Sequence, residues 1–177
     1  FRSNLVTEDP PAHTRLRQFM NFAFTPQRVD ALVPRIQEIV DSLLDAVADD
    51  GQADLMSALA APLPITVIAE MLGAPPEARI RFRAWADALL GDDLAAAQQA
   101  GQEMLQFAVE VIALKREQPA DDLISYWVTA TDDEGAPLSE RELLGMVFIL
   151  IVGGFDTTVG TLGNGIAALL TSPEKAD

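Results

Sequence analysis

A long apolar segment near the carboxyl end of the sequence is the feature that most constrains its fold. Residues 143–170 contain no proline, and Ser139 with Glu142 three positions later forms the capping-box pattern that marks a helix start. The pattern predicts one helix of roughly 30 residues, which at 1.5 Å per residue is about 45 Å long and can cross a whole domain. Ser172 and Pro173 then match the cap and first position of another helix.

A membrane span is the alternative interpretation of this segment. Its uncharged part, residues 143–155, has 13 residues and ends at Asp156, whereas a helix needs about 20 apolar residues to cross a bilayer. We therefore expect a helix buried in a protein core, without membrane contact.

The middle of this predicted helix reads Gly-Gly-Phe-Asp-Thr-Thr, residues 153–158. A glycine inside a helix costs about 1 kcal/mol relative to alanine, and a buried carboxylate costs more unless it is paired. Either a ligand lies close to this backbone and uses the polar groups, or the small residues serve close helix packing while Asp156 bonds to a neighbouring donor. The Thr157 hydroxyl can bond back to the Gly153 carbonyl one turn earlier, or turn toward a bound guest.

Helical spacing separates two faces of this segment at about 100° per residue. The bulky face carries Phe148, Ile151, Phe155, Leu162, Ile166 and Leu169, and the small and polar face carries Ile149, Gly153, Asp156, Thr157, Gly160 and Asn164. Any ligand is expected on the second face.

A second segment, residues 9–17 (DPPAHTRLR), predicts another helix start, with Asp9 as the cap and Pro10 at the first helical position. His13, the only histidine of the chain, and Arg17 are then four residues apart on one helix face. They form a pair of donors suited to acidic groups on a ligand. Taken singly, each is more often a structural or surface residue.

The two segments together resemble the cytochrome P450 haem-thiolate monooxygenases of the soluble bacterial type. Residues 9–17 and the following residues 22–26 (FAFTP) resemble the C helix of that family and its exit, and residues 153–158 match its central I-helix signature. Residues 61–68, 72–73 and 121–125 also follow the family pattern. The resemblance implies a mainly α fold containing the C to I helices, with a long central I helix and at most one short strand.

The resemblance also implies a haem b cofactor and a set of residues that contact it. His13 and Arg17 match the residues that hold the haem propionates by charge-assisted hydrogen bonds, and Phe24 matches a residue that packs near the haem edge. Gly153 and Gly154 match the glycines that let the I-helix backbone approach the haem.

Two further pairs complete the site that the resemblance implies. Asp156 and Thr157 match the acid–alcohol pair that delivers protons to dioxygen. Water could also deliver protons, but a water-filled site would let reduced oxygen escape before it reacts with the substrate. Ile149 and Val152, about one turn earlier, are expected from helical spacing to border an apolar substrate.

The chain departs from the family in the axial iron ligand, which is a cysteine thiolate there. No cysteine occurs in this sequence, so the chain itself is expected to supply no metal ligand. The family places that ligand beyond the I helix. We therefore expect residues 1–177 to be a single, incomplete helical portion, from before the C helix to the start of the J helix, of a larger enzyme, and to be inactive alone.

Charge bears on the partners of the protein. A net charge of −15 argues against nucleic-acid binding. Residues 13–35 nevertheless contain four arginines and one aspartate, a local charge of +3. This is either a solvated helix face or, by the resemblance, part of the proximal surface where a ferredoxin-type electron donor docks. The sequence opens without a charged-then-apolar leader, which favours a cytoplasmic protein.

The rest of the chain predicts helices separated by proline, glycine and aspartate punctuation. Pro26 and Pro34 are expected to start helices running on to Ala48, and Asp121 to cap a short helix. The other expected elements are a short strand at 52–55, helices at 56–72 (kinked at its prolines), 76–90 and 93–118, the capped helix to about 129, and a loop at 131–138.

Two functions of different classes remain open from the sequence. The first is a haem-dependent monooxygenase that inserts one oxygen atom of O₂ into an apolar substrate with electrons from a partner. The second is a non-enzymatic, all-α module that binds an apolar ligand or a partner, in which the glycine–threonine stripe serves only helix packing. The two motifs occurring together favour the first.

Overall fold

Seven α-helices account for most of residues 4–172, the part of the chain that the computed structural model describes. They are α1 (Ala12–Asn21), α2 (Pro26–Asp45), α3 (Pro62–Met71), α4 (Ala78–Leu90), α5 (Leu94–Glu117), α6 (Leu123–Thr129) and α7 (Glu140–Thr171). Short 3₁₀ turns lie at Phe22–Phe24 and Ala48–Asp50, and a π-helical turn lies at Met56–Ala60. No strand forms within residues 4–172, so the mainly α prediction is confirmed and the strand predicted at 52–55 is wrong.

Helix α7 begins as its sequence predicts. The Ser139 hydroxyl accepts the Glu142 backbone N–H, and the Glu142 carboxylate accepts the Ser139 backbone N–H at 2.7 Å. This reciprocal pairing satisfies donors that a helix start otherwise leaves without partners. The helix then runs unbroken to Thr171. The next helix, predicted from Pro173, lies outside the described residues.

The first half of α7 forms the centre of the core. Its buried side chains are Leu143, Met146, Val147, Leu150, Ile151 and Phe155, and they pack against α3, α4, α5 and α6. By length and composition, α7 is the one helix in the described range that could also cross a membrane. The burial of its first half favours the core-helix interpretation.

The start of α1 differs from the prediction. The helix begins at Ala12 with Pro11 as its cap residue, and the Asp9 side chain does not cap it. A residue that precedes proline is pushed out of the α region, so Pro10 cannot occupy the first helical position in front of Pro11. Asp9 contributes its carbonyl instead, which accepts the His13 backbone N–H at 3.0 Å.

Prolines elsewhere also act differently from the prediction. Pro34 lies inside a continuous α2 rather than starting a new helix. Its ring is on an exposed face, where water can bond the carbonyl that a proline leaves without a helical N–H partner. The segment predicted as one helix at 56–72 passes from the π-helical turn into α3 through Ala61, which keeps helical backbone angles, and Pro62 takes the first position of α3. Helix α4 begins at Ala78, two residues after Pro76.

Local caps position α5 and α6. Helix α5 begins where predicted, and Asp93 caps it by accepting the Ala95 backbone N–H at 2.9 Å. Helix α6 is capped by Asp122 instead of Asp121, through the Ser125 backbone N–H at 2.8 Å. Gly73 follows the end of α3 with a φ of +67°, the left-handed conformation typical of a residue after a helix end.

Candidate functional site

Gly153 leaves one flank of α7 open. It is exposed, and a Cβ added to it would meet only the Ile149 side chain of its own helix, at 3.6 Å. No other element within residues 4–172 fills this position. A flat ligand could therefore lie directly against the α7 backbone here.

Gly154 faces a different neighbour. A Cβ added to it would lie 2.9 Å from Ile68 Cδ1 of α3, closer than real Cβ atoms come to other heavy atoms. Close packing of α7 on α3 therefore favours a small residue here, although the Ile68 side chain could turn to admit a Cβ. Gly154 also lines an open apolar groove together with Phe24, so its predicted contact with a cofactor stays a prediction. Gly153 is the glycine whose Cβ position meets no other element.

Thr157 bonds back into its own helix. Its hydroxyl donates to the Gly153 carbonyl at 2.6 Å, and Thr161 makes the same type of bond to the Thr157 carbonyl at 2.8 Å. Such bonds divert helix carbonyls and favour a local bend. Thr157 is exposed, so its hydroxyl oxygen keeps lone pairs available to accept a proton-donating partner.

Asp156 is exposed and makes no hydrogen bond or ion pair with any residue in the described part of the chain. It lies at a cavity of about 360 Å³ whose lining includes Arg83, Asp87, Met56, Ser57 and Val159. The nearby Arg83 guanidinium is 3.8 Å from Asp87 and does not pair with Asp156. The alternative in which Asp156 is tied to a neighbouring donor is therefore not what this structure shows.

His13 and Arg17 form a free pair on α1. His13 is half-buried and Arg17 is exposed, and neither side chain has a hydrogen-bond or ionic partner within residues 4–172. The neighbouring Arg15 contrasts with them, because its guanidinium is held by Asp132 and Glu142 at 2.5 and 2.6 Å. On α1, the side chains of His13 and Arg17 are therefore available to a ligand, while the Arg15 side chain is bound to other parts of the chain.

Phe24 ends the 3₁₀ turn after α1, and half of its side chain is exposed. It borders an apolar groove of about 320 Å³ between α2, α3 and α7, with Val67, Ile68, Leu150 and Leu162 among the lining residues. The predicted substrate residues Ile149 and Val152 are both half-buried at the edge of the core.

The basic segment at 13–35 is largely neutralised by acids from other parts of the chain. Arg15 pairs with Asp132 and Glu142, Arg35 with Glu38 and Glu70, and Arg28 lies 3.8 Å from Asp121. Only Arg17 of the four arginines lacks an acidic partner among the described residues. Because most of these acids are 35 to 127 residues away in sequence, counting charge along the segment could not reveal the pairing.

The residues that remain open carry the groups that the resemblance assigns to haem binding, and their joint role stays a prediction. A planar apolar macrocycle with acidic substituents needs a close backbone approach and free cations, which Gly153, Arg17 and His13 offer. The chain has no cysteine, so a thiolate ligand would have to come from sequence outside it.

The two glycines should respond oppositely to substitution. Gly153→Ala is expected to raise the free energy of unfolding by up to about 1 kcal/mol, since alanine is the better helix former and its Cβ would have ordinary contacts. Gly154→Ala should gain less than Gly153→Ala or lose stability, because the end of the Ile68 side chain has to move to admit the new Cβ. Urea unfolding of the cofactor-free protein checks both. Adding Ile68→Val, which removes the contacting methyl group, should restore the stability of the Gly154→Ala variant. Equal effects of the two alanines on the free energy of unfolding would contradict the assignment of an open Gly153 and a packed Gly154.

Comparisons with known proteins find relatives that match almost the whole chain. The family model described as "Cytochrome P450" matches residues 65–177. The chain is 50% identical over 175 residues to the cytochrome P450 monooxygenase PikC of Streptomyces venezuelae, a match that covers 97% of this chain and 42% of that protein. It is 39% identical to the 6-deoxyerythronolide B hydroxylase of Saccharopolyspora erythraea, over 99% of this chain and 44% of that protein.

Solved structures show the same relationship in three dimensions. The cytochrome P450 PksS of Bacillus subtilis superimposes with a TM-score of 0.92 at 38% identity, over 99% of this chain and 46% of that one. The F286A mutant of the P450 MycG, in complex with mycinamicin IV, gives a TM-score of 0.87 at 37% identity, over 96% of this chain and 44% of that one. The chain thus spans less than half the length of the relatives it matches.

Proposed function

Because this chain belongs to the cytochrome P450 family, we propose that its full-length parent protein is a haem-dependent monooxygenase. The reaction inserts one oxygen atom of O₂ into an apolar organic substrate, with electrons from a redox partner. The observation that carries the proposal is the open α7 flank at Gly153, next to the back-bonded Thr157, in a chain whose α1 also presents the free pair His13 and Arg17.

Each residue of this chain has a separate task in that reaction. His13 and Arg17 would hold the two acidic substituents of haem b, and Gly153 would admit its face to the α7 backbone. Phe24 would pack at its edge, with Gly154 setting the distance between α7 and α3. When bound, haem would supply the redox centre at which dioxygen is activated, with its thiolate ligand supplied from outside this chain.

Proton delivery is the task that we assign to Asp156 and Thr157. Asp156 is exposed at its cavity and can exchange protons with water, while Thr157 can pass a proton from its hydroxyl and regain one. The bond from Thr157 to the Gly153 carbonyl fixes where the hydroxyl lies. Ile149 and Val152 would border the substrate and help exclude water.

The substrate is proposed only as an apolar organic molecule. Relatives are named for 6-deoxyerythronolide B, vitamin D(3), mycinamicin IV and nocardicin C. This range supports an organic substrate without selecting one class. Family membership supports the redox partner, and a ferredoxin-type donor is our specific proposal for it. Arg15, Arg28 and Arg35 have acidic partners within the chain, so the local positive charge gives little support to a ferredoxin-type donor.

We also propose a cytoplasmic location. It is supported by the burial of the first half of α7 in the core and by relatives of the same family from bacteria. A binding module without enzymatic activity is the competing function, favoured by the Gly154–Ile68 packing alone. Its premise that the glycine–threonine stripe serves only helix packing does not account for the open side of Gly153.

Haem retention tests the proposal directly. Arg17→Ala in the haem-loaded full-length protein is expected to accelerate haem loss about 10- to 100-fold, because a charge-assisted hydrogen bond contributes about 1.5–3 kcal/mol. Transfer of haem to an excess of apomyoglobin measures the rate. The matched control is Arg141→Ala, which removes another exposed arginine without an acidic partner in the described range. Equal rates in both variants and the parent would reject the role of Arg17.

A further inference from the structure

Arg15 makes an unusually complete set of contacts for a residue near the surface. Its Nε donates to Asp132 at 2.5 Å, its Nη1 to Glu142 at 2.6 Å and its Nη2 to the Pro137 carbonyl at 2.8 Å. All three guanidinium nitrogens are therefore engaged by acceptors more than 100 residues away in sequence. The side chain is 27% exposed, while Asp132 and Glu142 are 7% and 20% exposed, so solvent screens these contacts only in part.

Both carboxylates that bind Arg15 are themselves fixed. Asp132 accepts the backbone N–H groups of Ala136 and Glu134 at 2.8 and 3.0 Å with its other oxygen. These bonds hold the loop before α7, and together with Arg15 they keep the pKa of Asp132 below its usual value, the Ala136 bond most strongly. Glu142 uses its second oxygen to close the α7 capping box on Ser139. Arg15 therefore binds to two rigid points, one in the loop and one in the first turn of α7.

Arg15 also lies on the opposite side of α1 from the free pair. It is two residues from both His13 and Arg17, or about 200° around the helix, whereas those two share a face at four-residue spacing. Within residues 4–172, Arg15 is the only side chain in the first turn of α1 that hydrogen-bonds outside its own helix. The α1 residues that are buried in the core come later in the sequence than Arg15, and they are Leu16, Phe19 and Met20. Arg15 thus fixes the His13 turn on the side of α1 away from the free pair, next to the buried Leu16.

We infer that Arg15 is a positioning residue for haem: by fixing α1 to the loop and the first turn of α7, it holds His13 and Arg17 in the orientation that binds the propionates. This inference rests on the proposed function. It assigns Arg15 no contact with haem. The Arg15 guanidinium also links the two helices of the proposed site. One is α1, with the propionate donors, and the other is α7, with the proton-relay pair.

The test compares three variants of the haem-loaded full-length protein. Arg15→Met should accelerate haem transfer to apomyoglobin about tenfold, the lower end of what losing an outer-shell partner costs a bound metal group. Arg116→Met is the matched control, because Arg116 binds Glu140 at 2.6 Å and ties the first turn of α7 to α5 instead of α1. It should change the rate less than twofold. Arg17→Ala provides the reference for direct loss of a propionate donor.

A purely structural role of Arg15 would give a different pattern. If Arg15 acts through His13 and Arg17, the double variant Arg15→Met/Arg17→Ala should lose haem more slowly than the product of the two single effects predicts. Independent, multiplicative effects would overturn the inference. Arg15→Lys keeps the charge but cannot reach both carboxylates at once, so it should fall between the parent and Arg15→Met, and it serves if Arg15→Met fails to fold.

The outcomes also separate this inference from the proposed function. If Arg17→Ala leaves haem loss unchanged, the proposed site fails. If Arg17→Ala accelerates haem loss but Arg15→Met does no more than Arg116→Met, the site stands and the positioning role of Arg15 is wrong.

Discussion

Replacing Thr157 with alanine in the full-length protein is expected to divert electrons from product to hydrogen peroxide. Product formed per electron consumed should fall at least about tenfold, since a positioned proton donor contributes roughly 10²–10⁴-fold and water can replace it only in part. Consumption of the electron donor should continue, because Thr157 has no part in electron entry. Simultaneous measurement of donor oxidation, peroxide and product tests this.

Thr161 provides the control for this experiment. Its hydroxyl makes the same bond to a carbonyl four residues earlier, at 2.8 Å, so Thr161→Ala removes an equivalent helix contact one turn further along α7. It should leave coupling near that of the parent, and Thr157→Ser, which keeps a hydroxyl, should recover most of it. If Thr157→Ala keeps parental coupling, or if Thr161→Ala uncouples as strongly, Thr157 is not the proton donor.

Features that depend on a few neighbouring residues could be predicted from the sequence. The capping box at Ser139 and the start of a helix at residue 93 both arise within about four residues of chain, and each is confirmed. The length of α7 follows from the absence of proline in an apolar segment. Prolines were harder, because their effect depends on the next residue at Pro10 and on solvent exposure at Pro34.

The candidate site could be predicted in outline but not in its separate parts. The sequence places Gly153 and Gly154 side by side, and only the position of Ile68 on α3 shows that one packs against protein while the other is open. Arg15 counted as one charge in a basic segment. Its acceptors Asp132 and Glu142 follow it by 117 and 127 residues, so no local pattern pointed to its contacts.

A contact with another helix, which no local sequence pattern reveals, also determines that Asp122 and not Asp121 caps α6. Either aspartate is close enough to the start of α6 to be predicted as its cap. Only Asp122 also forms an ion pair with Lys115 of α5, with Nζ at 2.6 Å from its carboxylate. The two side chains are 4% and 11% exposed, whereas Asp121 is 95% exposed. Gly73 lies against the Asp122 carboxylate, where a Cβ would overlap it. Tertiary burial therefore selects between two adjacent aspartates.

Asp122→Ala is accordingly expected to be the most destabilising single change considered, at about 3–5 kcal/mol, the usual cost of removing one partner from a buried ion pair. It leaves the Lys115 ammonium buried without its counter-charge and also removes the α6 cap. Asp121→Ala should change stability by less than about 0.5 kcal/mol, because its contact with Arg28 is exposed and long. Urea unfolding of the two haem-loaded variants beside the parent protein measures the difference.

Two further variants divide the cost between charge and cap. Asp122→Asn keeps an oxygen that can accept the Ser125 N–H, so it reports the loss of the charge pair, while Lys115→Met/Asp122→Asn removes both charges and should recover much of the lost stability. If Asp122→Asn, which keeps the cap oxygen, is nearly as stable as the parent protein while Asp122→Ala is not, the cap and not the ion pair carries the stabilisation. If Asp121→Ala destabilises as much as Asp122→Ala, burial does not distinguish the two aspartates, and the assignment of the α6 cap is wrong.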